Sequence, residues 1–341
     1  MNQQEFIVFC KEKGFVFSSS SVYGNLNGFF DYGPLGVELK NNIKDSSIVL
    51  HKNVTKNSSH DANFHDQYVD CKKCKFRFKV DEKVEKCFKC GSENLTEIKL
   101  FDQMMRVNLG STGAESGVLR PETSQSIFIN FKNIINSGNY KLPFAVAQIG
   151  KAFRNEVTVR NFIFRTREFE QMEMIYFFNN INENEFEKHF QYWKNIRKKW
   201  WNKHGVQVQE YVQSDKELAH YSKKTTDFIF NFPHATDEVE GIAYRFDFDL
   251  ESKKSVVPHV IETSCGVGRA FYAILYSAIK NEEINGKLRM YLNLPYHLCP
   301  LKIAVIPLVK NNAAMVEYAK KIVKKLKSLS IPCVLEISSN I

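Results

Sequence analysis

Gln148-Ile149-Gly150-Lys151-Ala152-Phe153-Arg154-Asn155-Glu156, followed after Val157-Thr158-Val159-Arg160-Asn161 by Phe162-Ile163-Phe164-Arg165-Thr166-Arg167-Glu168-Phe169-Glu170-Gln171-Met172-Glu173-Met174-Ile175-Tyr176-Phe177-Phe178, is the stretch on which the fold turns. Between Phe153 and Phe178 two strand-like runs flank Val157 to Asn161, which reads as a hairpin loop. In the second run a period of two puts Arg165, Arg167, Phe169, Gln171 and Glu173 on one face. Glu168 and Glu170 occupy the other, so neither face has the composition of a simple core side. A charged strand standing alone reads equally well as a solvated edge. Here the apolar flanks, Phe162-Ile163-Phe164 and Met174 to Phe178, predict instead a sheet centre lined by charges. Arginines and carboxylates in such a place need each other or a ligand.

Working outward, Phe144 to Ile149 is an apolar run that begins the strand pair. Before it, Thr123 can cap a helix with Ile127, Phe128, Phe131, Ile134 and Ile135 on its apolar side and Gly138 as its stop. Near the start, Phe6 and Phe9 share one face of a short helix ended by Gly14, and Ser18 to Gly36 reads as strand and turn. After the charged strand, Phe186, Phe190, Trp193, Ile196 and Trp200 recur at helical spacing before Gly205, a stripe for core packing and not a cofactor box. Beyond Pro295 the character changes. Ile303 to Val309 reads as a strand, Met315, Ala319, Ile322, Val323 and Leu326 mark an amphipathic helix, and Pro332 to Ile337 is a second strand. One β-α-β unit cannot bury both faces of its strands, so the chain is expected to stop inside a second domain.

A chain of 341 residues with 43% hydrophobic content can bury a sizeable core, and its length suggests about two domains. No apolar run approaches the ~20 residues that cross a bilayer. Met1 to Phe6 lacks the basic start and cleavage site of a secretory signal, so a soluble, cytoplasmic protein is expected. The net charge of +9 and a pI near 9.0 suit a polyanionic partner. Lys320-Lys321 and Lys324-Lys325 read equally well as a solvated helix face.

Of eight cysteines, Cys10, Cys265, Cys299 and Cys333 are scattered and read as small buried apolar residues. Cys71, Cys74, Cys87 and Cys90 form two C-x-x-C pairs, the pattern of a zinc site more than of a disulfide or a redox pair. Lys72 to Glu97 is polar and poor in aliphatics, so it must be a small insertion held by its cysteines. Four thiolates suit a closed, tetrahedral, structural Zn²⁺ site. Its basic residues Lys72, Lys73, Lys75, Arg77 and Lys79 are either solvated or in contact with nucleic acid.

Gly150 to Glu156 with Phe164 to Glu173 resembles motif 2 of the homodimeric glycyl-tRNA synthetases. The resemblance extends to Leu119-Arg120-Pro121-Glu122-Thr123-Ser124-Gln125, to Asn27 through Leu39 and to Glu240 through Leu250. It also takes in His259 through Arg269, which looks like motif 3, so that in family order it covers most of residues 1–310. It implies an α+β fold in which an antiparallel class II synthetase sheet is flanked by helices. The catalytic domain would span 1–295 with a zinc-ribbon insertion at about 68–98, and 296–341 would be the start of an incomplete α/β anticodon-binding domain. The implied activity is glycine-tRNA ligation. ATP is a substrate, Mg²⁺ and structural Zn²⁺ are the cofactors, and tRNA(Gly) and glycine are the partners of a homodimer.

Such chemistry needs no protein nucleophile; phosphate charge must be neutralised and the reactants held in line. By the resemblance Arg154 grips the α-phosphate, with Asn155 and Glu156 completing that strand's nucleotide contacts. Phe164, Arg165, Thr166, Arg167 and Glu168 lie along the nucleotide, and Phe169 stacks on adenine. Gly266, Val267 and Gly268 form a strand-to-helix turn before Arg269, which reaches the γ-phosphate or sandwiches the base. Arg154 and Arg269 are thus the catalytic pair. Glu238 and Val239 make a further ATP contact, with Glu238 the candidate Mg²⁺ ligand. Glycine offers no side chain, so selectivity must come from gripping its ammonium in a crowded acidic pocket. Glu122, Glu173, Glu262 and Ser264 match that pocket, with Phe169, Glu170, Gln171, Met172, Thr263, Cys265 and Gly266 beside them. Arg245 is the candidate for the carboxylate.

The sequence also departs from the family pattern. Asn41 to Asp45 runs directly into Ser46-Ser47-Ile48-Val49-Leu50-His51, with a helical stretch of motif 1 missing between them and Lys52 where proline is expected. A hairpin is shortened after Leu250, Thr263 stands in place of proline, and His234-Ala235-Thr236 replaces a tryptophan-bearing turn. These changes leave open a synthetase-like paralogue that binds nucleotide or RNA without ligating. A zinc-ribbon nucleic-acid-binding protein is a third reading, one that leaves the charged strand around Arg167 unexplained.

Overall fold

The computed structural model describes residues 1–13, 15–18, 30–32, 49–51, 58–80, 84–113, 115–138, 140–179, 183–250 and 257–337. The chain begins with α1 (Gln3–Glu12), β1 (Val16–Ser18), β2 (Phe30–Tyr32), β3 (Val49–His51) and the single turn α2 (His60–Asn63). Next come β4 (His65–Asp70), β5 (Arg77–Lys79), β6 (Lys99–Asp102), β7 (Met105–Leu109), β8 (Glu115–Leu119) and α3 (Ser124–Gly138). The central part is β9 (Phe144–Phe153), β10 (Glu168–Phe178), α4 (Glu183–Lys203), β11 (Gln209–Val212), β12 (Lys224–Asn231), β13 (Thr236–Phe246), β14 (His259–Gly266) and α5 (Val267–Ala278). A hairpin of β15 (Ile279–Ile284) and β16 (Lys287–Leu292) leads to β17 (Ile303–Val305), α6 (Ala313–Ser328) and β18 (Cys333–Leu335).

Six strands in the order β11-β12-β13-β14-β10-β9, all antiparallel, form the main sheet. Its two faces differ because successive side chains point to opposite sides. One face carries Met172, Tyr176 and Phe178 of β10, Ile242 and Tyr244 of β13, and Ile261 and Cys265 of β14. It packs against α1, α4 and α5 through Phe6, Phe190, Trp201, Phe271, Tyr272 and Leu275. On the other face Ile175, Phe177 and Val260 are covered by Ile127 and Phe128 of α3. The rest of that face, toward the start of β10, is left as a cleft. An antiparallel sheet with one helix-covered face and one half-open face is the α+β architecture expected from the sequence.

Local chemistry accounts for the flanking elements. Asn2 and Glu5 form a capping box on α1: the Glu5 amide donates to Asn2 Oδ1 (2.9 Å) and the Asn2 amide to Glu5 Oε2 (2.8 Å). On α4 the apolar stripe ends at Trp201, which is fully buried, while Ile196 is 38% exposed. The packed face therefore takes in Phe186, Phe190, Trp193, Trp200 and Trp201, with Ile196 outside it. Arg197 and the Trp201 indole both donate to Glu240, a β13 carboxylate that is 1% exposed.

The connection between β9 and β10 is longer than the five-residue loop expected. It runs from Arg154 to Arg167, and Phe162–Phe164 form a buried 3₁₀ turn within it and not a strand start. Arg165 and Arg167 therefore precede β10. The alternation holds from Phe169 through Gln171 and Glu173, and the apolar run Phe162 to Phe164 is spent on core burial in the loop. The carboxyl-terminal strands are shorter than expected and pair in parallel, Ile303 with Cys333 and Val305 with Leu335. Residues 41–48, 33–39 and 251–256, where the sequence departs from or matches the family in motif 1 and after Leu250, lie outside the described residues. Among the described residues no helix is long and apolar enough to cross a membrane.

Candidate active site

Sheet register builds the floor of the cleft. Asp227, Gly241, Ser264 and Glu173 stand side by side across β12, β13, β14 and β10, and Thr225, Ala243 and Glu262 form the adjacent row. Gly241 and Ala243, the two smallest side chains, stand at the centre of these rows and leave a hollow between the acids. The cavity above it, about 330 Å³, is lined by both rows together with Glu122, Gln171, Tyr221, Arg154, Arg165, Phe169, Glu238 and Arg269. The rows carry carboxylates and the connection before β10 carries arginines, so one cleft has an acidic floor and a basic end.

On the floor, Glu173 is 2% exposed and accepts from Gln171 Nε2 (2.7 Å), Ser264 Oγ (3.1 Å) and the Thr123 hydroxyl. Thr123 precedes α3 as expected of a cap, and its hydroxyl is directed at this carboxylate. Glu122 accepts from Ser124 Oγ (2.6 Å) and Gln125 Nε2 (3.0 Å). Glu262 accepts from Arg245 Nη1 (2.5 Å), and Arg245 closes a two-pronged pair with Asp249 (2.7 and 2.9 Å). Burial, reinforced by Glu262 and Glu122, pushes the Glu173 carboxyl well above its usual range. Burial also raises Glu262, against the pull of Arg245. Burial and the neighbouring Glu262 and Glu122 oppose a negative charge on Glu173, an opposition that a cationic ligand would relieve. Gln171 Oε1 is buried with no hydrogen-bond partner among the described residues, an acceptor waiting for a donor.

At the other end Arg154 follows β9. Its Nε donates to the Pro121 carbonyl (3.1 Å), and its guanidinium lies 5.1 and 5.3 Å from the rings of Phe64 and Phe169. Arg165 pairs with Glu156 through Nε (2.7 Å) and Nη2 (2.6 Å). Arg269, on the first turn of α5, donates from Nη1 to the carbonyl and Oε2 of Glu238 (3.1 Å each) and stacks over Phe164 at 4.3 Å. Gly266 and Gly268 line the cleft where α5 begins, so the partial positive charge of that helix N-terminus opens on it. Gly266 has an extended backbone, φ −73°, and a Cβ there would lie 3.6 Å from Arg269 Cγ. That is ordinary van der Waals contact, and the glycine is not demanded by a left-handed turn either.

Other residues expected at the site stand around the cleft without lining it. The Asn155 amide donates to the Gln103 carbonyl (2.8 Å), and Arg167 Nη2 donates to the Glu156 carbonyl (3.3 Å) behind the loop. Glu168 pairs with Lys151, and Glu170 is opposite the same lysine in the ladder. Met172, Thr263, Cys265 and Val239 face the core side, and Val267 opens α5. Arg245 is 1% exposed, committed to two carboxylates and stacked 3.8 Å from the Tyr221 ring. Its contacts describe a support for Glu262 more than a free cation for a ligand. The sequence reading passed over Tyr221 and Asp227. Asp227 ends the polar run Lys223-Lys224-Thr225-Thr226 just before Phe228-Ile229-Phe230, so the sequence marks it no more than its polar neighbours. Tyr221 precedes β12 in an irregular segment and carries no mark either.

Residues 106–278 match the family described as tRNA synthetase class II core domain (G, H, P, S and T). A glycine--tRNA ligase of Thermus thermophilus is 37% identical over 430 residues, which cover 97% of this chain and 84% of that protein. One of Mycoplasma genitalium is 42% identical over 361 residues, covering 90% of this chain and 80% of the relative. The chain belongs to the glycine--tRNA ligases. A solved prolyl-tRNA synthetase of Cryptosporidium parvum shares the fold with a TM-score of 0.62 at 12% identity, covering 97% of this chain and 62% of that one. The span aligned with the Thermus ligase exceeds the 341 residues of this chain, so that relative carries segments absent here.

In this ligase core the cysteine quartet forms a separate small unit. β4, β5 and β6 make a three-stranded sheet around Val69, Cys71, Phe78, Val80 and Cys87. The four sulfurs lie within 4.8 Å of one another, with Cys71 and Cys90 3.6 Å apart and Cys74 and Cys87 3.7 Å apart. Zn–S bonds of about 2.3 Å in a tetrahedron put sulfurs roughly 3.8 Å apart, so the quartet fits that ion. Both pairs end in the same turn: Lys75 donates to the Cys71 carbonyl and Gly91 to the Cys87 carbonyl, at 2.9 Å each. Both turn residues have left-handed backbones, φ +59° and +69°, which glycine adopts freely and lysine at a cost. The other cysteines are distributed as expected, with Cys10, Cys265 and Cys333 buried and Cys299 half-buried.

Proposed function

We infer that the cleft holds ATP at its arginine end and glycine on its carboxylate floor, joins them as glycyl-adenylate, and passes the glycyl group to the 3′ end of tRNA(Gly). The observation that carries this reading is the division of one cavity into basic and acidic ends, with the orphaned Gln171 oxygen at the acidic one. The ammonium of glycine has three N–H donors. Gln171 Oε1, Glu173 and Glu122 offer acceptors, and the added positive charge offsets the mutual repulsion of the buried acids. Arg154 and Arg269 flank the aromatic rings Phe169 and Phe164, a setting for an adenine base and its phosphates. The glycine carboxylate attacks the α-phosphorus, a P–O bond forms and pyrophosphate leaves. The arginines neutralise charge that builds on the phosphate oxygens. Mg²⁺ takes hard oxygen ligands, and Glu238 with Asp227 beside it would hold it. When bound it supplies further neutralisation of the phosphates. Zn²⁺ on Cys71, Cys74, Cys87 and Cys90 would be structural.

The remaining assignments follow the same reading. Residues 1–295 are the catalytic domain with its ribbon, and 296–341 begin an anticodon-binding domain, supported by the parallel β17-α6-β18 unit. Two copies pair, and the protein works in the cytoplasm. The deciding experiment is glycine-dependent exchange of labelled pyrophosphate into ATP by the full chain. Exchange is expected, with Arg154→Ala lowering it by about 10²–10³. Folded protein that binds ATP but exchanges nothing with glycine would replace ligation by a binding role.

A further inference from the structure

The ribbon sheet touches the nucleotide end of the cleft through one buried carboxylate. Asp66, on β4, is 3% exposed. Its Oδ1 is 2.7 Å from Lys79 Nζ on β5, while its Oδ2 is buried and has no hydrogen-bond partner among the described residues. Oδ2 faces Arg165, whose Nη2 lies 3.6 Å away. Arg165 in turn holds Glu156 and lines the cleft. Lys79, Asp66, Arg165 and Glu156 thus form a line of alternating charge from the ribbon into the site.

Arg165 precedes β10, so no strand ladder of the main sheet fixes its side chain; its position depends on the carboxylates around it. Glu156 belongs to the same loop and moves with it. Asp66 belongs to a different sheet, one anchored at its far end by the cysteine quartet. A carboxylate oxygen buried without a donor is unfavourable, and Asp66 Oδ2 faces a guanidinium that needs a shift of less than an ångström or so to bond it. A phosphate reaching Arg165 competes with Glu156 for its N–H groups. Asp66 then retains hold of the Nη2 end.

We propose that Asp66 is a positioning residue for the nucleotide: it holds Arg165 against the cleft wall from the ribbon side, so that the ribbon sheet contributes to ATP binding. This rests on the assignment of Arg165 to the nucleotide. The test is Asp66→Asn in the full chain, with pyrophosphate exchange measured against ATP and glycine separately. KM for ATP is expected to rise about tenfold, the worth of one charge-assisted hydrogen bond, with KM for glycine unchanged. The double variant of Asp66→Asn with Arg165→Ala is expected to bind ATP no worse than Arg165→Ala alone, because Asp66 acts only through that arginine. Effects that multiply, or an unchanged KM for ATP in Asp66→Asn while Arg165→Ala raises it, overturn the proposal and leave the reading of the cleft intact. An Arg165→Ala variant with normal KM for ATP removes Arg165 from the nucleotide site and overturns both. Should Asp66→Asn not fold, Asp66→Glu, which keeps the charge on a longer arm, carries the same comparison.

Discussion

Asp227 stands at a cleft wall with its carboxyl pushed up to about 6 from 3.8, by burial first and by Glu238 second, while Gln213 donates to it at 2.7 Å. A raised carboxyl pKa means that the folded protein disfavours the ionised form. Stability is therefore lost as pH rises from 3.8 through 6, and nothing is lost below that window. Replacing Asp227 by Asn should raise the melting temperature of the ligand-free protein at pH 8 by roughly 2–4 °C. The gain should shrink as the pH falls through the same window, and melts across that range check it. A pH-independent gain would mean that packing and not charge is responsible. The acids of the floor were legible as residue types in the sequence, because Glu122, Glu173 and Glu262 sit in long recognisable words. Their separate tasks were not. Arg245 is by resemblance the candidate for the glycine carboxylate, and in the fold Asp249, four residues on, and Glu262, from another strand, pair with its guanidinium.

Elements are locked to one another by a few buried polar joints, and these are where a substitution costs most. Glu240 on β13 is held by Arg197 and Trp201 of α4, and burial raises its pKa against their pull. Arg197→Met leaves that carboxylate without its cation and should destabilise the protein by about 3 kcal/mol in urea unfolding. A loss below about 1 kcal/mol would mean that the Trp201 indole satisfies Glu240 alone. In the ribbon, the proposed zinc assignment is checked by metal analysis: the unaltered chain is expected to purify with one zinc ion and Cys74→Ser with none. Hydrogen exchange should then rise over β4 to β6 while the six-stranded sheet keeps its protection. Retention of the metal would show that three thiolates suffice. The stripe on α4 was legible in the sequence for Phe186, Phe190, Trp193 and Trp200, which pack on the core; Ile196 stays exposed, and the fully buried Trp201, whose indole N–H donates to Glu240, carried no mark in the helical spacing.

For the whole molecule, a mass in solution near twice 39.6 kDa is expected from light scattering if two copies pair. A mass of one chain at micromolar concentration would exclude the pairing. The six-stranded sheet brings together segments that are far apart in the chain. The row Asp227, Gly241, Ser264 and Glu173 joins four strands whose residues span more than ninety positions, and the cleft exists only once the ladder has set their register.

Sequence by itself determined which strand would be charged, which words mark a synthetase core, and that four cysteines carry the spacing of a metal site, because period and spacing are local properties of the chain. The face on which each arginine works was decided only in three dimensions. Phe162 to Phe164 left the expected strand for the core, which drew Arg165 and Arg167 into a loop and delivered Arg165 to Asp66 of another sheet. Neither Asp66 nor Tyr221 carries a mark in its own segment. Each acquires its task from a charged neighbour that folding brings within 4 Å, Arg165 for Asp66 and Arg245 for Tyr221, and such contacts follow from packing and not from sequence period.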